Sequence, residues 1–222
     1  GSQIAVAQYA GPLYSFQAAS MQLNWTNNNC DVPSWSPDGT RILCHTRGSG
    51  VFNILNASTG SQIESYLLDS GAVHPTWSPT GDELVYSVIA NGRTSIYRAS
   101  LGASALPVLL AGDASENYAP AWSPDGQWIA FQSTLGSPLS DLWLMDRVGG
   151  SLQRVLYTDN DYWSRAPSFS PDGQWLAFVS NQAGSYGADY GEIFVVSLAT
   201  GEAIQISHTG GLVYDWRVDW GP

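Results

Sequence analysis

Apolar residues in this chain fall into short runs, each closed by a turn rich in Gly, Pro, Asp or Ser. The segment from Pro120 to Asp161 shows the pattern most fully. Ala121-Trp122-Ser123 reads as a short strand and Pro124-Asp125-Gly126 as a tight turn, in which Pro pre-sets φ, Asp caps the backbone and Gly takes the positive-φ position. Trp128 to Ser133 is a second strand, dense in aromatic and branched residues. A loop containing Gly and Pro, Thr134 to Leu139, leads to a third strand at Asp141 to Met145. After a Gly-Gly turn within Arg147 to Ser151, Gln153 to Tyr157 forms the fourth. The result is a four-stranded meander whose strands read apolar on both faces, as sheets stacked between neighbours require.

The same grammar recurs. P-S-W-S-P-D-G starts at Pro33, P-T-W-S-P-T-G at Pro75, P-A-W-S-P-D-G at Pro120 and P-S-F-S-P-D-G at Pro167, while R-V-D-W-G-P runs to Pro222. The anchors Trp35, Trp77, Trp122, Phe169 and Trp220 lie 42, 45, 47 and 51 residues apart. A period of about 40–50 residues is that of a β-propeller blade. Second strands are expected at Arg41 to Thr46, Leu84 to Val88 and Trp175 to Ser180. Third strands are expected at Val51 to Leu55, Ser95 to Ala99 and Glu192 to Ser197, and fourth strands from near Ile63, Leu106 and Ala203.

The chain opens on second, third and fourth strands, at Gln3 to Ala7, Leu13 to Gln17 and Gln22 to Trp25, and ends on a lone first strand, Arg217 to Trp220. That last strand can complete the first blade and remove a sheet edge. The expectation is one all-β domain over 1–222, a closed five-bladed propeller of four-stranded antiparallel blades. The blades run approximately 214–222 plus 3–28, then 31–69, 73–112, 118–158 and 165–208.

Composition narrows the partners. The net charge of −11 comes from 19 acids against 8 basic residues, all of them Arg. Such a surface repels phosphate backbones and anionic membranes, so neither nucleic acid nor membrane insertion is expected. A cationic partner, a divalent cation or a neutral polar ligand fits better. Cys30 and Cys44 lie on segments that the Pro37-Asp38-Gly39 hairpin pairs near positions 33 and 44. A disulfide and two unrelated core residues are both open, because three residues of register separate the pair. Ser2 to Ala10 lacks the basic start and apolar core of a leader, and Gly1-Ser2 reads as a cloning remnant, so a leader or further domains are expected to have been removed.

The P-x-W-S-P-D-G repeat resembles that of the TolB-type propellers, a WD-repeat-like module of bacterial periplasmic and secreted proteins. The resemblance rests on Trp35, Ser36, Pro37, Asp38, Gly39 and their equivalents from Trp77, Trp122 and Phe169, and it spans all five repeats. Thr80 replaces the Asp in the second, and family members usually have six blades. The resemblance implies an extracytoplasmic, non-catalytic platform that binds a partner protein or peptide at its channel mouth.

Candidate chemistry sits where the repeats stop agreeing. The loops leading into the first strands are Asn27 to Val32, Asp69 to His74, Ala114 to Ala119, Asp159 to Ala166 and Leu212 to Val218. Two of them group Asp161, Tyr162, Trp163 and Arg165, and Tyr214, Asp215, Trp216 and Arg217, with Tyr118 and His74 completing a rim. The aromatics would stack, the acids accept and the arginines donate, toward a peptide or a sugar. Alternatively, Trp163 and Trp216 plug the channel. Carboxylates in the channel leave a glycoside hydrolase or lyase as the lesser alternative, and a sensor or scaffold role in a larger protein is also open. There is no G-x-S-x-G elbow, and His45, His74 and His208 lie in different blades. No cofactor is expected. Asp159-Asn160-Asp161 and Asp189 to Glu192 fall short of a complete calcium loop, which leaves adventitious Ca²⁺.

Overall fold

The computed structural model describes residues 3–7, 12–46, 49–102, 106–112, 115–156, 162–182 and 191–208. All regular structure among them is β. Five antiparallel sheets follow one another along the chain. The first comprises β1 (Gln3–Ala7), β2 (Leu13–Gln17) and β3 (Leu23–Asn27). The second orders β4 (Asp31–Trp35), β5 (Arg41–Thr46), β6 (Val51–Asn56) and β7 (Gln62–Leu67). The third orders β8 (Ala72–Trp77), β9 (Glu83–Ala90), β10 (Arg93–Ser100) and β11 (Val108–Ala111). The fourth is β12 (Asn117–Trp122), β13 (Trp128–Ser133), β14 (Asp141–Asp146) and β15 (Gln153–Arg154). The fifth is β16 (Ser164–Phe169), β17 (Trp175–Ser180), β18 (Glu192–Ser197) and β19 (Ala203–Gln205). The expected closing strand, Arg217 to Trp220, lies outside the described residues.

Several boundaries differ from the sequence expectation; the inner strand expected at Ala121 to Ser123 runs Asn117–Trp122, and two outer strands also change. The outer strand of the third sheet starts at Val108 rather than Leu106, because Pro107 lacks a ladder donor. That of the fourth is two residues long instead of running to Tyr157.

By internal contacts the chain divides into two compact units, residues 1–92 with 97–108 and residues 93–96 with 109–222. In the first unit, Leu43, Phe52 and Ile54 pack with Ala72, Trp77, Leu84 and Tyr86. Trp77 also donates its indole N–H to the Ser34 carbonyl at 3.1 Å, and the Arg41 guanidinium lies 4.7 Å from its ring centroid. A further cluster joins Leu13, Trp25, Cys30, Ile42, Cys44 and Leu55. In the second unit, Ala130 and Leu142 meet Phe169, Leu176, Phe178, Phe194 and Val196. Within each unit, apolar faces of successive sheets thus bury one another, so that each sheet depends on its neighbour for its core.

The tight turns repeat a hydrogen-bonded motif. Ser36 Oγ donates to Asp38 Oδ1 at 2.6 Å and accepts from the Arg41 N–H at 2.9 Å, while Asp38 accepts the Thr40 N–H at 3.0 Å. Ser123 with Asp125 and Ser170 with Asp172 repeat it. In the second repeat Thr80 stands in the Asp position, and the carboxylate comes from Asp82 instead, which accepts from Thr80 and Ser78. Gly39, Gly81, Gly126 and Gly173 take φ of 68–74° in these turns. A Cβ at Gly173 would lie 3.6 Å from Pro124, and one at Gly81 3.6 Å from Pro37. Gly81 and Gly173 therefore sit against the proline of the preceding turn in their own unit.

These bonds hold the turn carboxylates ionised. Asp38 is lowered to about 2, chiefly by the Ser36 hydroxyl and then by Thr40. Asp125 and Asp172 are lowered by Ser123 and Ser170 respectively. A carboxylate depressed in the folded state stabilises above its unfolded pKa, near 4, and that contribution drains away as pH falls toward the folded value. Urea midpoints are thus expected to hold from pH 7 to about 4.5 and to decline between about pH 4 and 2. The triple variant Asp38→Asn/Asp125→Asn/Asp172→Asn should flatten that limb; an unchanged acid limb would remove these turns as its origin.

Candidate functional site

Each inner strand contains a backbone irregularity that the sequence pattern does not reveal. Val32, His74, Ala119 and Ala166 have φ of 49–51°, the left-handed region, although none is glycine. Each immediately precedes the repeat proline, and the pairing register shifts there, between Asp31 and Ser34, Val73 and Thr76, Tyr118 and Ala121, and Arg165 and Ser168. These are β-bulges. The proline supplies no donor and a bulge needs none at that point, so the two features fit together. The left-handed residue re-aims the chain upstream of the motif, which is where the candidate site residues stand.

The first bulge also decides the cysteines. Pairing at Ser34–Leu43 alone would place Cys30 three positions out of register with Cys44; beyond the bulge, Asp31 faces His45 and the offset falls to two. Two residues offset by two lie on the same sheet face. Cys30 and Cys44 are joined by a disulfide, with Cα atoms 5.3 Å apart.

At the end of the sheets where the inner strands begin, polar residues form buried rows. In the fourth sheet Asn117 pairs with Ser133 and Ser133 with Asp141, all three buried. Ser133 Oγ donates to Asn117 Oδ1 at 2.7 Å, and Arg154 donates to Asp141, which is 0% exposed. In the fifth sheet Ser164, Ser180 and Glu192 form the equivalent row, with Ser207 Oγ donating to Glu192. The Ser164 N–H donates to the Ser140 carbonyl at 2.8 Å, tying one row to the other. The bulge N–H of Ala166 is held by Gln132 Oε1 at 3.1 Å. Sequence reasoning passed over these rows. Their only signal is a small polar residue closing the second strand, at Thr46, Ser133 and Ser180, and an acid opening the third, at Asp141 and Glu192.

Of the candidate rim, Tyr118, Tyr162, Trp163 and Arg165 belong to the second unit and His74 to the first. Asp161, Tyr214, Asp215, Trp216 and Arg217 lie outside the described residues. Tyr162 is 37% exposed beside Trp163. Trp163 is only 6% exposed. The Arg165 guanidinium lies 4.3 Å from the Trp163 ring centroid, and the Trp163 backbone N–H donates to Asn181 Oδ1 at 2.8 Å. Tyr118 stands opposite Gln132 in the ladder, and burial raises its phenol pKa. His74 is half-buried at its bulge. Glu192 is engaged with Ser207, and among the described residues no group of three or more His, Cys, Asp or Glu could hold a metal ion.

Repeated four-stranded meanders of this kind place the chain in the β-propeller class, a fold that serves as an interaction platform. It belongs to the TolB beta propeller domain family, whose model matches residues 66–219. No curated protein sequence matches the chain. Among solved structures it is similar to a putative TolB from Agrobacterium tumefaciens, with TM-score 0.73 and 21% identity over 94% of this chain and 72% of that one. TolB from Acinetobacter baumannii gives TM-score 0.69 and 21% identity over 89% of this chain and 49% of the other. This chain therefore spans about half the length of that relative. An oligogalacturonate lyase in complex with manganese matches at TM-score 0.66 and 14% identity, over 93% and 62%. At such identities the structures share a fold and nothing more specific.

Two substitutions test the geometry. Ala119→Gly should stabilise by about 0.5–1 kcal/mol, because a left-handed L-residue costs about 1–2 kcal/mol and glycine avoids most of it. Ala121→Gly, on the regular side of the same bulge, should destabilise by a similar amount. Equal destabilisation by both, in urea titrations, would contradict the bulge. Arg154→Met removes a charged donor from the fully buried Asp141 carboxylate and should cost about 3 kcal/mol, with Asp141→Asn/Arg154→Met recovering much of the loss.

Proposed function

We propose that this chain is a non-enzymatic interaction propeller, exported from the cytoplasm, that grips a partner protein or peptide on the loop end of its sheets. The observation that carries this reading is the difference between the two ends. The turn end repeats one Ser-carboxylate motif four times. The loop end varies, and in the second unit it sets Tyr118, Tyr162 and Arg165 above buried polar rows. Loops on a rigid scaffold are where binding residues concentrate, and Tyr and Arg are favoured interface types. In this reading the five sheets are five blades of one domain, and the strand that the sequence leads one to expect at Arg217 to Trp220 would close the ring. The Cys30–Cys44 bond suits an oxidising compartment.

Random peptides displayed against the immobilised protein test the reading. Enriched peptides are expected to bind the wild type with micromolar affinity and to lose about tenfold or more with Tyr118→Ala or Tyr162→Ala. Asp38→Asn, at the turn end, should leave binding unchanged. Saturable glycan binding with no peptide enrichment would overturn the proposal in favour of a carbohydrate-binding propeller.

A further inference from the structure

Each sheet ends on an outer strand, and the five outer strands are not equally guarded. A sheet edge offers a row of N–H and C=O groups, and proteins blunt it by shortness, proline, lysine or a covering segment. β15 and β19 are two and three residues long, and β11 is four residues long behind Pro107. In β3 a register shift leaves only Trp25–Asn27 in continuous pairing. β7, at the edge of the second sheet, has six residues with neither proline nor a basic side chain among them. Five of the six are exposed, Leu67 by 74%. Its register shift falls near the start, and Glu64–Leu67 then run in unbroken register with β6.

The backbone direction of that run follows from its end. Leu68 donates its N–H to the Gly50 carbonyl at 3.3 Å. Peptide groups alternate in direction along a strand, so Glu64 and Tyr66 also face β6, whereas Ser65 and Leu67 turn their N–H and C=O to the open edge. The edge is fixed in place. Tyr66 packs against the cluster containing Phe52 and Tyr86 and donates to Glu64, and a Cβ at Gly50 would collide with the Asp69 carbonyl. A template that is already ordered loses little entropy when a strand is added. Charge selects the added strand. Glu64 is the one charged residue of β7, the exposed Asp69 follows it, and the whole chain carries −11. A second copy of this edge would be repelled, and a basic segment drawn in.

We propose that β7 accepts an extended basic segment of a partner protein as a fifth strand of the second sheet. Glu64 and Leu67, three apart, lie on opposite faces of the sheet, and each faces the residue directly across from it. The segment therefore carries a basic and an apolar residue three positions apart, the first against Glu64 and the second against Leu67. Its backbone bonds to Ser65 and Leu67. This surface is the outer flank of the sheet, so the inference goes beyond the loop-end reading and does not depend on it.

The test displays random peptides against the whole chain and sorts the binders by their response to Leu67→Pro, which removes an outward N–H and no ladder donor. A class with basic and apolar residues three apart is expected. Its affinity should fall about tenfold or more in Leu67→Pro, less in Leu67→Thr, which keeps the N–H, and should weaken in Glu64→Gln. On the unsubstituted protein, the same peptides should slow amide exchange at Ser65 and Leu67, a change that docking through side chains alone would not produce. Peptides that leave exchange at Ser65 and Leu67 unchanged, or a selection with no such class, would overturn the proposal. Binders that respond only to Tyr118→Ala would overturn it while leaving the loop-end reading standing. Protection of Ser65 and Leu67 by self-association would assign the edge to a second copy and overturn the basic partner.

Discussion

A proline stands in the inner strand of four successive sheets, at the place where a ladder would ask for a donor that proline does not have. The left-handed residue before it, at Val32, His74, Ala119 and Ala166, absorbs the mismatch as a bulge. An L-residue in that region is strained by about 1–3 kcal/mol and persists only where its surroundings over-determine it. The surroundings are visible in the fifth sheet, where Gln132 of the preceding sheet holds the Ala166 N–H. The inner strand is thereby divided into two parts with different obligations. Downstream it carries the Trp or Phe anchor toward the packed core; upstream it is free to vary, and the candidate binding residues among the described residues lie there, at the bulge itself or in the loop before it.

The two ends of the sheets follow from this division. At the turn end the chain needs only to reverse direction, and one solution serves throughout: a serine hydroxyl between a carboxylate and a backbone N–H. The second repeat shows that the requirement is the carboxylate's position in space, since Asp82 supplies it where Thr80 has displaced the usual residue. At the loop end, buried Asn117, Ser133, Asp141, Ser164, Ser180 and Glu192 replace what would elsewhere be apolar packing. Where such groups have partners, as Asn117, Ser133, Asp141 and Glu192 do, they fix geometry more than they add stability. That suits a platform whose loops must be held in place.

The sheets were legible in the sequence because turn chemistry and apolar runs coincide at each repeat. Strands at Arg41–Thr46, Trp128–Ser133 and Trp175–Ser180 fall where the pattern puts them. The bulges were not legible, since Val32, His74 and two alanines share no side-chain property that marks a positive φ. The cysteines stayed undecided for the same reason: the one-residue shift that brings Cys30 toward Cys44 belongs to the backbone. Trp163 was legible as an aromatic outside the repeat, with a stacking role and a plugging role both left open. Its burial depends on a glycine 28 positions along the chain, Gly191, a pairing that no local pattern expresses.

The separation of scaffold from surface also explains how the fold can be shared at 14–21% identity by structures described as TolB and as a lyase. The bulge, the turn motif and the glycine-on-proline contact constrain backbone and a few small side chains, and they leave the loop end chemically uncommitted. Specificity in this chain must then come from short-range contacts that the loop end has acquired. Long-range charge alone would select any cation, because a field of this sign does not distinguish one basic partner from another.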